Sequence, residues 1–409
     1  MIANKEVKSL FSIPVLVAAL GYFVDIYDLL LFGIIRKASL RSLGLSEEMV
    51  LTSGEFIISV QMVGLLLGGI LWGVMGDKKG RLSVLFGSIV LYSLANIANG
   101  MVQTVNQYAL LRFIAGIGLA GELGAGITLV SELLPKEKRG LGTSMVAGFG
   151  LTGAVIAYFI SKEFDWRICY YIGGAMGLVL LVLRISVFES GMFTQVKEMN
   201  VSRGNFFMFF TSRERFLKYA RSILIGLPTW FVIGVLVTFS DQFGKHMGIP
   251  EAIDPGRAIM FAYVGISVGD IAIGFVSQAL KSRKKSLFIF YVLTMIFMVM
   301  FFMQKNTSAT TMYLLCCGLG FSTGFWAIFV TMAAEQFGTN LRATAATTVP
   351  NMVRGALPLI IILFKWLREA TDFITGGVIT AVIIMIIAWI AAYFSSETFS
   401  KDLMYVEVS

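Results

Sequence analysis

The chain has 409 residues, of which 57% are hydrophobic and only 14% charged, against roughly 45–50% and about 25% in an ordinary soluble domain. So few charges cannot clothe a water-facing surface, and the uncharged stretches recurring between Phe11 and Phe394 each approach the ~20 residues that cross about 30 Å of hydrocarbon as a helix. The net charge of +8 does not point to nucleic acid, because the basic residues fall in short clusters between apolar runs, the pattern of topology determinants.

The remaining composition narrows the chemistry. Cys169, Cys316 and Cys317 are the only cysteines and form no CxxC or Cys/His ligand spacing, and His246 is the only histidine. No disulfide framework, zinc site or histidine relay is expected, and nothing matches the phosphate-cradling GxxxxGK[ST] loop. Neither metal nor cofactor is implied, and a membrane-embedded enzyme lacks a nucleophile, base or metal constellation to work with.

Taken in chain order, Lys5 and Lys8 precede an apolar segment with two aspartates and no small-residue cleavage site, which reads as a retained first helix. Helix-length windows predict twelve segments near 11–35, 54–76, 82–102, 106–133, 141–161, 167–188, 221–243, 257–280, 286–304, 311–333, 342–364 and 373–395. The longest polar interval, 189–220, begins at Glu189 and carries Lys197, Arg203, Arg213, Arg215 and Lys218. It divides an N-terminal six-helix bundle (1–188) from a C-terminal one with a short cytoplasmic tail (221–409), and is expected to be a cytoplasmic connector with an amphipathic helix on the membrane surface. Even-numbered loops hold Lys78, Lys79 and Arg81, then Lys136, Lys138 and Arg139, then Lys281, Arg283, Lys284 and Lys285. That asymmetry places them and both termini in the cytoplasm.

The halves echo one another. Glu132 lies seven residues before Arg139 at the start of the fifth segment, and Glu335 seven before Arg342 at the start of the eleventh. Gly73 four before Asp77 has a weaker counterpart in Gly274 four before Gln278. Parallel six-helix repeats are a transporter architecture, with the substrate site between the halves near the bilayer midplane.

Loop 2–3 reads Gly73-Val74-Met75-Gly76-Asp77-Lys78-Lys79-Gly80-Arg81, which resembles the GxxxD[RK]xGR signature of the major facilitator superfamily. The resemblance implies an all-α fold of twelve helices in two pseudo-symmetric bundles, and a gate role for Asp77 and Arg81. Gly73 suits close helix approach and Gly80 a tight turn, while Lys78 adds to the basic cluster; the alternative is a plain topology-setting turn. Asp25-Ile26-Tyr27-Asp28, Arg112-Phe113 with Gly116, Gly118, Gly121 and Glu122, and Asp165-Trp166-Arg167 look like the superfamily's metabolite:proton symporters. This resemblance implies proton-coupled uptake of a small organic acid or zwitterion, with a proton-driven efflux antiporter or a sugar or neutral-metabolite porter as alternatives. A multi-pass protein of a bacterial inner membrane, acting as a monomer on substrate, protons and lipid, is the corresponding expectation. Helix five has no proline, so it lacks the Gly-Pro bend of the family's drug antiporters.

A charge deep in a bilayer is costly, from about 2.5 to more than ~10 kcal/mol, so Asp25, Asp28, Arg112, Glu122, Asp270 and Arg354 carry the information. Asp25 and Asp28 share one face, resist ionising together, and are the expected proton carriers; alternatively Asp28 simply neutralises Arg112. Arg112 is the first choice for a substrate carboxylate and Arg354 the second. Arg354 shares a stripe with Thr347 and Asn351, and Asp270 one with Tyr263 and Ser267; alternatively Asp270 and Arg354 form one structural ion pair. Tyr22, Trp230, Tyr263 and Trp326 are candidates to line the cavity, though intramembrane aromatics also face lipid or pack. Glu122 falls off the Arg112 face and is grouped with Glu132, Arg139, Arg81 and Asp77 in the inner gate, with Glu335 and Arg342 doing the same in the other half.

Overall fold

A computed structural model describes residues 13–135, 139–184, 204–401 and 405–407. Within them the chain folds into twelve membrane-length helical spans. The first half comprises α1 (Ile13–Ser42), α2 (Glu47–Lys79), α3 (Arg81–Asn99), α4 (Val105–Leu119 and Glu122–Leu133), α5 (Arg139–Leu151 and Gly153–Glu163) and α6 (Trp166–Leu183). The second comprises α7 (Arg213–Phe231, continued by the π turn Val232–Val237), α8 (Pro255–Leu280), α9 (Arg283–Phe302), α10 (Ala309–Ser322 and Trp326–Glu335), α11 (Arg342–Gly355 and Leu357–Ala370) and α12 (Phe373–Tyr393). The basic even-numbered loops share one end of the bundle, called here the basic end.

The expected segments are all present, but α1 runs on to Ser42, α2 starts at Glu47 and α7 at Arg213. These turns are too polar for a hydropathy window and are helical because their backbone amides pair along the helix and their ends are capped: Ser46 Oγ accepts from Met49 N and Ser212 Oγ from Arg215 N. Of the expected connector, 189–203 lies outside the described residues, with Glu189, Lys197 and Arg203; so do Lys5, Lys8, Lys136 and Lys138. The part before α7 is a 3₁₀ turn, Phe206–Phe210, rather than an amphipathic α-helix. Phe209 stacks on Tyr219 at 4.4 Å and meets Phe337 edge-on at 4.9 Å, seating the turn on the second half.

Two seams join the halves, and small residues make both. Along α2, a Cβ on Gly69 would meet Asn351 Cβ at 2.7 Å and one on Gly73 would meet Thr344 Cα at 3.1 Å, so α2 and α11 pack nearly backbone to backbone. On the other side Gly148 of α5 sits against Ser267 and Ile271 of α8. The interruptions in α4 (Ala120–Gly121), α5 (Thr152), α10 (Thr323–Phe325) and α11 (Ala356) fall within the spans. The π turn of α7 follows Pro228, which lacks an amide proton for its helix. Broken backbone at membrane depth is tolerated where protein or a cavity surrounds it.

Candidate functional site

Tyr22 of α1, Thr229 and Trp230 of α7, Tyr263 of α8, Trp326 of α10 and Arg354 of α11 enclose a cavity between the halves. Its free volume is about 10 Å³, scarcely room for one water, so the chamber is contracted. Arg354 is buried, and its guanidinium carbon lies 5.8 Å from the Trp230 ring centre and 5.7 Å from that of Trp326. The two indoles approach each other at 6.4 Å, so the cation is flanked by aromatic surface. Arg354 Nη1 donates to Asn351 Oδ1 (3.1 Å), whereas Nε has no acceptor. Asn351 Nδ2 in turn donates to the Ala120 carbonyl at the break in α4 (2.8 Å) and to the Thr347 carbonyl (2.7 Å). The Arg354 guanidinium is thereby oriented by a residue that also holds the opposite half.

The two helix-one aspartates have different surroundings. Asp28 Oδ1 accepts from Arg112 Nη1 at 2.9 Å and the Asp28 carbonyl from Nη2 at 3.0 Å; Arg112 also donates to Gln61 Oε1 and Asn96 Oδ1, both at 3.3 Å. Arg112 is thus engaged on four sides inside the first half and does not line the central chamber. Asp25 is fully buried, and both its carboxylate oxygens lack a hydrogen-bond partner. The Tyr22 hydroxyl is likewise unpartnered.

Asp270 and Arg354 do not form the ion pair weighed from the sequence. Asp270 Oδ1 instead accepts from Ala327 N at 2.9 Å, capping the second segment of α10, and Oδ2 has no partner. The interruption at Thr323–Phe325 exposes amides that a carboxylate can satisfy. Asp270 therefore holds in place the helix start that carries Trp326.

At the basic end the loop signature does its work across the seam. Asp77 accepts from Ala343 N (3.1 Å), Thr344 N (2.8 Å) and Thr344 Oγ1 (2.7 Å), so it caps α11 from the other half. Gly73 O accepts from Thr344 Oγ1 at 3.2 Å, and Gly80 takes φ 101° to turn the chain into α3. Lys78 is exposed, and the side chains of Arg81 and Arg139 lie outside what is described. Glu132 pairs with Arg342 at 3.4 Å, both fully buried, and Thr143 hydrogen-bonds Thr331 at 3.0 Å, again across the halves.

Glu122 and Glu335, expected in the inner gate, do not take part in these contacts across the halves. Glu122 is paired with buried Arg184 at the end of α6, within the first half. Glu335 accepts twice from Arg283 (2.7 Å each), within the second. Arg184 and Arg283 were thus missed as partners; Arg283 opens α9 as Arg81 opens α3, though one residue out of register with the Gly73/Gly274 echo. The opposite end is closed by Lys37–Asp241 (3.1 Å) and Lys162–Asp254 (2.9 Å), both across the halves. Closed at both ends around a contracted chamber, the molecule is occluded, and the arrangement can bind, enclose and release a solute.

Residues 18–361 match the family model described as Major Facilitator Superfamily. The niacin transporter NiaP of Acinetobacter baylyi is 24% identical, with 95% of this chain and 94% of that protein covered. The sialic acid transporter NanX of Escherichia coli is 24% identical over 84% and 83%, and the gentisate transporter of Corynebacterium glutamicum 23% over 80% and 75%. Among solved structures, the proton:xylose symporter XylE superposes with a TM-score of 0.76 at 18% identity, covering 97% of this chain and 98% of that one, a likeness of fold. With twelve spans in two halves, contacts across the halves at both ends and a family match over most of its length, this chain is a multi-pass membrane transporter belonging to the Major Facilitator Superfamily.

Proposed function

We propose that the protein imports a planar aromatic monocarboxylate together with a proton, by rocking its two halves about the central chamber. The observation that carries this reading is Arg354, buried and set between the Trp230 and Trp326 rings. A guanidinium offers paired donors to a carboxylate, while indoles and the Tyr22 and Tyr263 phenols supply flat surfaces for a ring. Niacin and gentisate, named for two relatives, are aromatic acids of this shape. Arg354 replaces Arg112 as the first choice of anchor because the donors of Arg112 are occupied. Asp25 is the proton carrier of this proposal: it lies in the same helix as Tyr22, and only a neutral acid suits a buried carboxyl with no donor beside it. Asp28 serves Arg112. The Lys/Arg asymmetry makes the basic end cytoplasmic, with both termini on that side, and the monomer is the working unit in a bacterial inner membrane.

Proteoliposomes with an imposed inward proton gradient and radiolabelled nicotinate test the reading. Uptake should exceed that without a gradient and be competed by benzoate, not by nicotinamide or xylose. Two charge-assisted hydrogen bonds at about 1.5–3 kcal/mol each make Arg354→Gln weaken binding by roughly two to four orders of magnitude. Competition by xylose but not by carboxylates, or binding unaffected by Arg354→Gln, would overturn it; net outward movement driven by the gradient would favour the antiporter.

A further inference from the structure

Arg36, near the non-basic end of α1, is only 3% exposed, yet its Nε and Nη1 have no hydrogen-bond partner. The side chain runs along α2, where a Cβ on Gly54 would meet its Cδ at 2.5 Å, and its guanidinium carbon lies 5.9 Å from the Phe239 ring centre at the end of α7. Asp241 and Glu55 are the carboxylates whose fields reach it. Asp241 is held instead by Lys37 and Gln242. An arginine this buried with two of its nitrogens unpartnered is expensive unless something visits it.

A second cavity, of about 40 Å³, has Phe239 and Glu55 in its wall; Arg36 is outside the lining and is linked to it by its approach to the Phe239 ring and by the field of Glu55. Its inner limit is Trp230 and Ile233, which also bound the central chamber. The wall between the two therefore belongs to the α7 stretch where the helix widens into its π turn and where Gly234 lacks a side chain. Single-turn π bulges inside helices are frequent at functional sites.

We propose that Arg36 and this cavity form a staging site beneath the Lys37–Asp241 closure, where the carboxylate of an incoming aromatic acid pairs with the Arg36 guanidinium before passing Trp230 and Ile233 to reach Arg354. The inference rests on the aromatic-carboxylate reading above. Arg36 gives the anion a partner while it leaves water, and the apolar wall formed by Leu30, Phe32 and Phe239 accepts the ring. Glu55 opposes a second negative charge and so keeps the stay brief.

The test is stopped-flow tryptophan quenching by nicotinate added outside proteoliposomes, read as association rate, dissociation rate and Kd for wild type, Arg36→Gln, Gly54→Ala and Glu55→Gln. A group that lowers a barrier on the path changes both rates and leaves the equilibrium at Arg354 alone. Arg36→Gln should slow association and dissociation alike, by about tenfold, with Kd held within about twofold. Gly54→Ala, which keeps every charge but displaces the Arg36 side chain, should slow both by a smaller factor, and it carries the test if Arg36→Gln does not fold. Glu55→Gln should speed association. Rates equal to wild type in the arginine and glycine variants, or a Kd that rises as much as association slows, would overturn the staging site while leaving the central site standing. If wild type itself does not bind nicotinate, it is the aromatic-acid reading that fails.

Discussion

Neutralising the two helix-one aspartates one at a time should give opposite results, because only one of them has a partner to lose. Asp28→Asn removes the charge facing Arg112 Nη1 at 2.9 Å and leaves a guanidinium fully buried, with only the neutral oxygens of Gln61, Asn96 and the Asp28 main chain to serve it. Breaking a buried pair from one side costs about 3–5 kcal/mol, so thermal unfolding in detergent should shift down by several degrees. Asp25→Asn is close to isosteric and touches no donor or cation at hydrogen-bond distance, since both carboxylate oxygens are unpartnered. If Asp25 is a neutral acid in this occluded form, the substitution changes stability by no more than about 0.5 kcal/mol, in the range of substitutions that break no named interaction. Its effect should appear in transport: uptake loses its dependence on the imposed proton gradient while substrate exchange continues. The assay is paired, with unfolding temperature beside gradient-driven uptake on the same preparations. Equal destabilisation by both substitutions would mean that Asp25 is ionised and paired, and would refute the assignment of the proton to it.

Two further substitutions probe the seams. Asp77→Asn keeps one acceptor for the amides of Ala343 and Thr344 but loses the charge at the start of α11. The closed basic end should weaken by about 1.5–3 kcal/mol, the range for hydrogen bonds to a charged group, a shift of roughly 10- to 150-fold toward opening. Maleimide labelling of Thr347→Cys from the basic side should accelerate accordingly in a background lacking Cys169, Cys316 and Cys317; a change under about threefold would go against the cap. Gly324→Ala puts a Cβ 2.5 Å from Gly269 Cα and 2.7 Å from Asp270 N, backbone that cannot turn aside. It should cost more than the ~1–3 kcal/mol of ordinary overpacking and show as lost monodisperse protein on size exclusion; wild-type yield and unfolding temperature would contradict the close approach of α8 and α10.

The twelve helices were legible because a hydrocarbon-spanning run is a one-dimensional signal. Partners were not, and the reason is local. Glu122 does lie off the Arg112 face, but just past the interruption of α4 at Ala120–Gly121 it meets Arg184 at the end of α6, a partner far along the chain that spacing on one helix does not reveal. Asp270 was set opposite Arg354 by equal depth, but the break at Thr323–Phe325 releases amides nearby and takes the carboxylate first. Neither break contains a proline. Both form where small residues let neighbouring backbones close in, as Gly324 and Gly269 do, which is a property of pairs of helices and invisible along one. Arg36 escaped notice because a hydropathy window ended the first helix at residue 35, whereas helical pairing carries it on to Ser42.

The two closures are unequal, and that inequality fixes which end opens more readily. At the basic end the contacts are buried: the Asp77 cap on α11, Glu132–Arg342 with both side chains fully inside, and Thr143 with Thr331. At the other end Lys162–Asp254 has side chains 51% and 39% exposed, and Lys37 of the Lys37–Asp241 pair is 39% exposed. Exposed pairs contribute about 0–1 kcal/mol each, whereas hydrogen bonds to a buried charge contribute about 1.5–3 kcal/mol. Opening the non-basic end from the occluded form should therefore be the easier motion by several kcal/mol, and the empty transporter should rest facing outward if the basic end is cytoplasmic. Cysteine placed at Thr229, in the wall of the central chamber, should then react with an impermeant reagent from the non-basic side at least tenfold faster than from the basic side, since ~1.4 kcal/mol already gives that factor. Lys162→Ala should raise the favoured rate less than about fivefold, as a single exposed pair allows, and Asp77→Asn should reverse or level the preference. Faster labelling from the basic side in the wild type would show that burial of the gate contacts does not set the resting state, and that substrate-free closure is governed by the chamber instead.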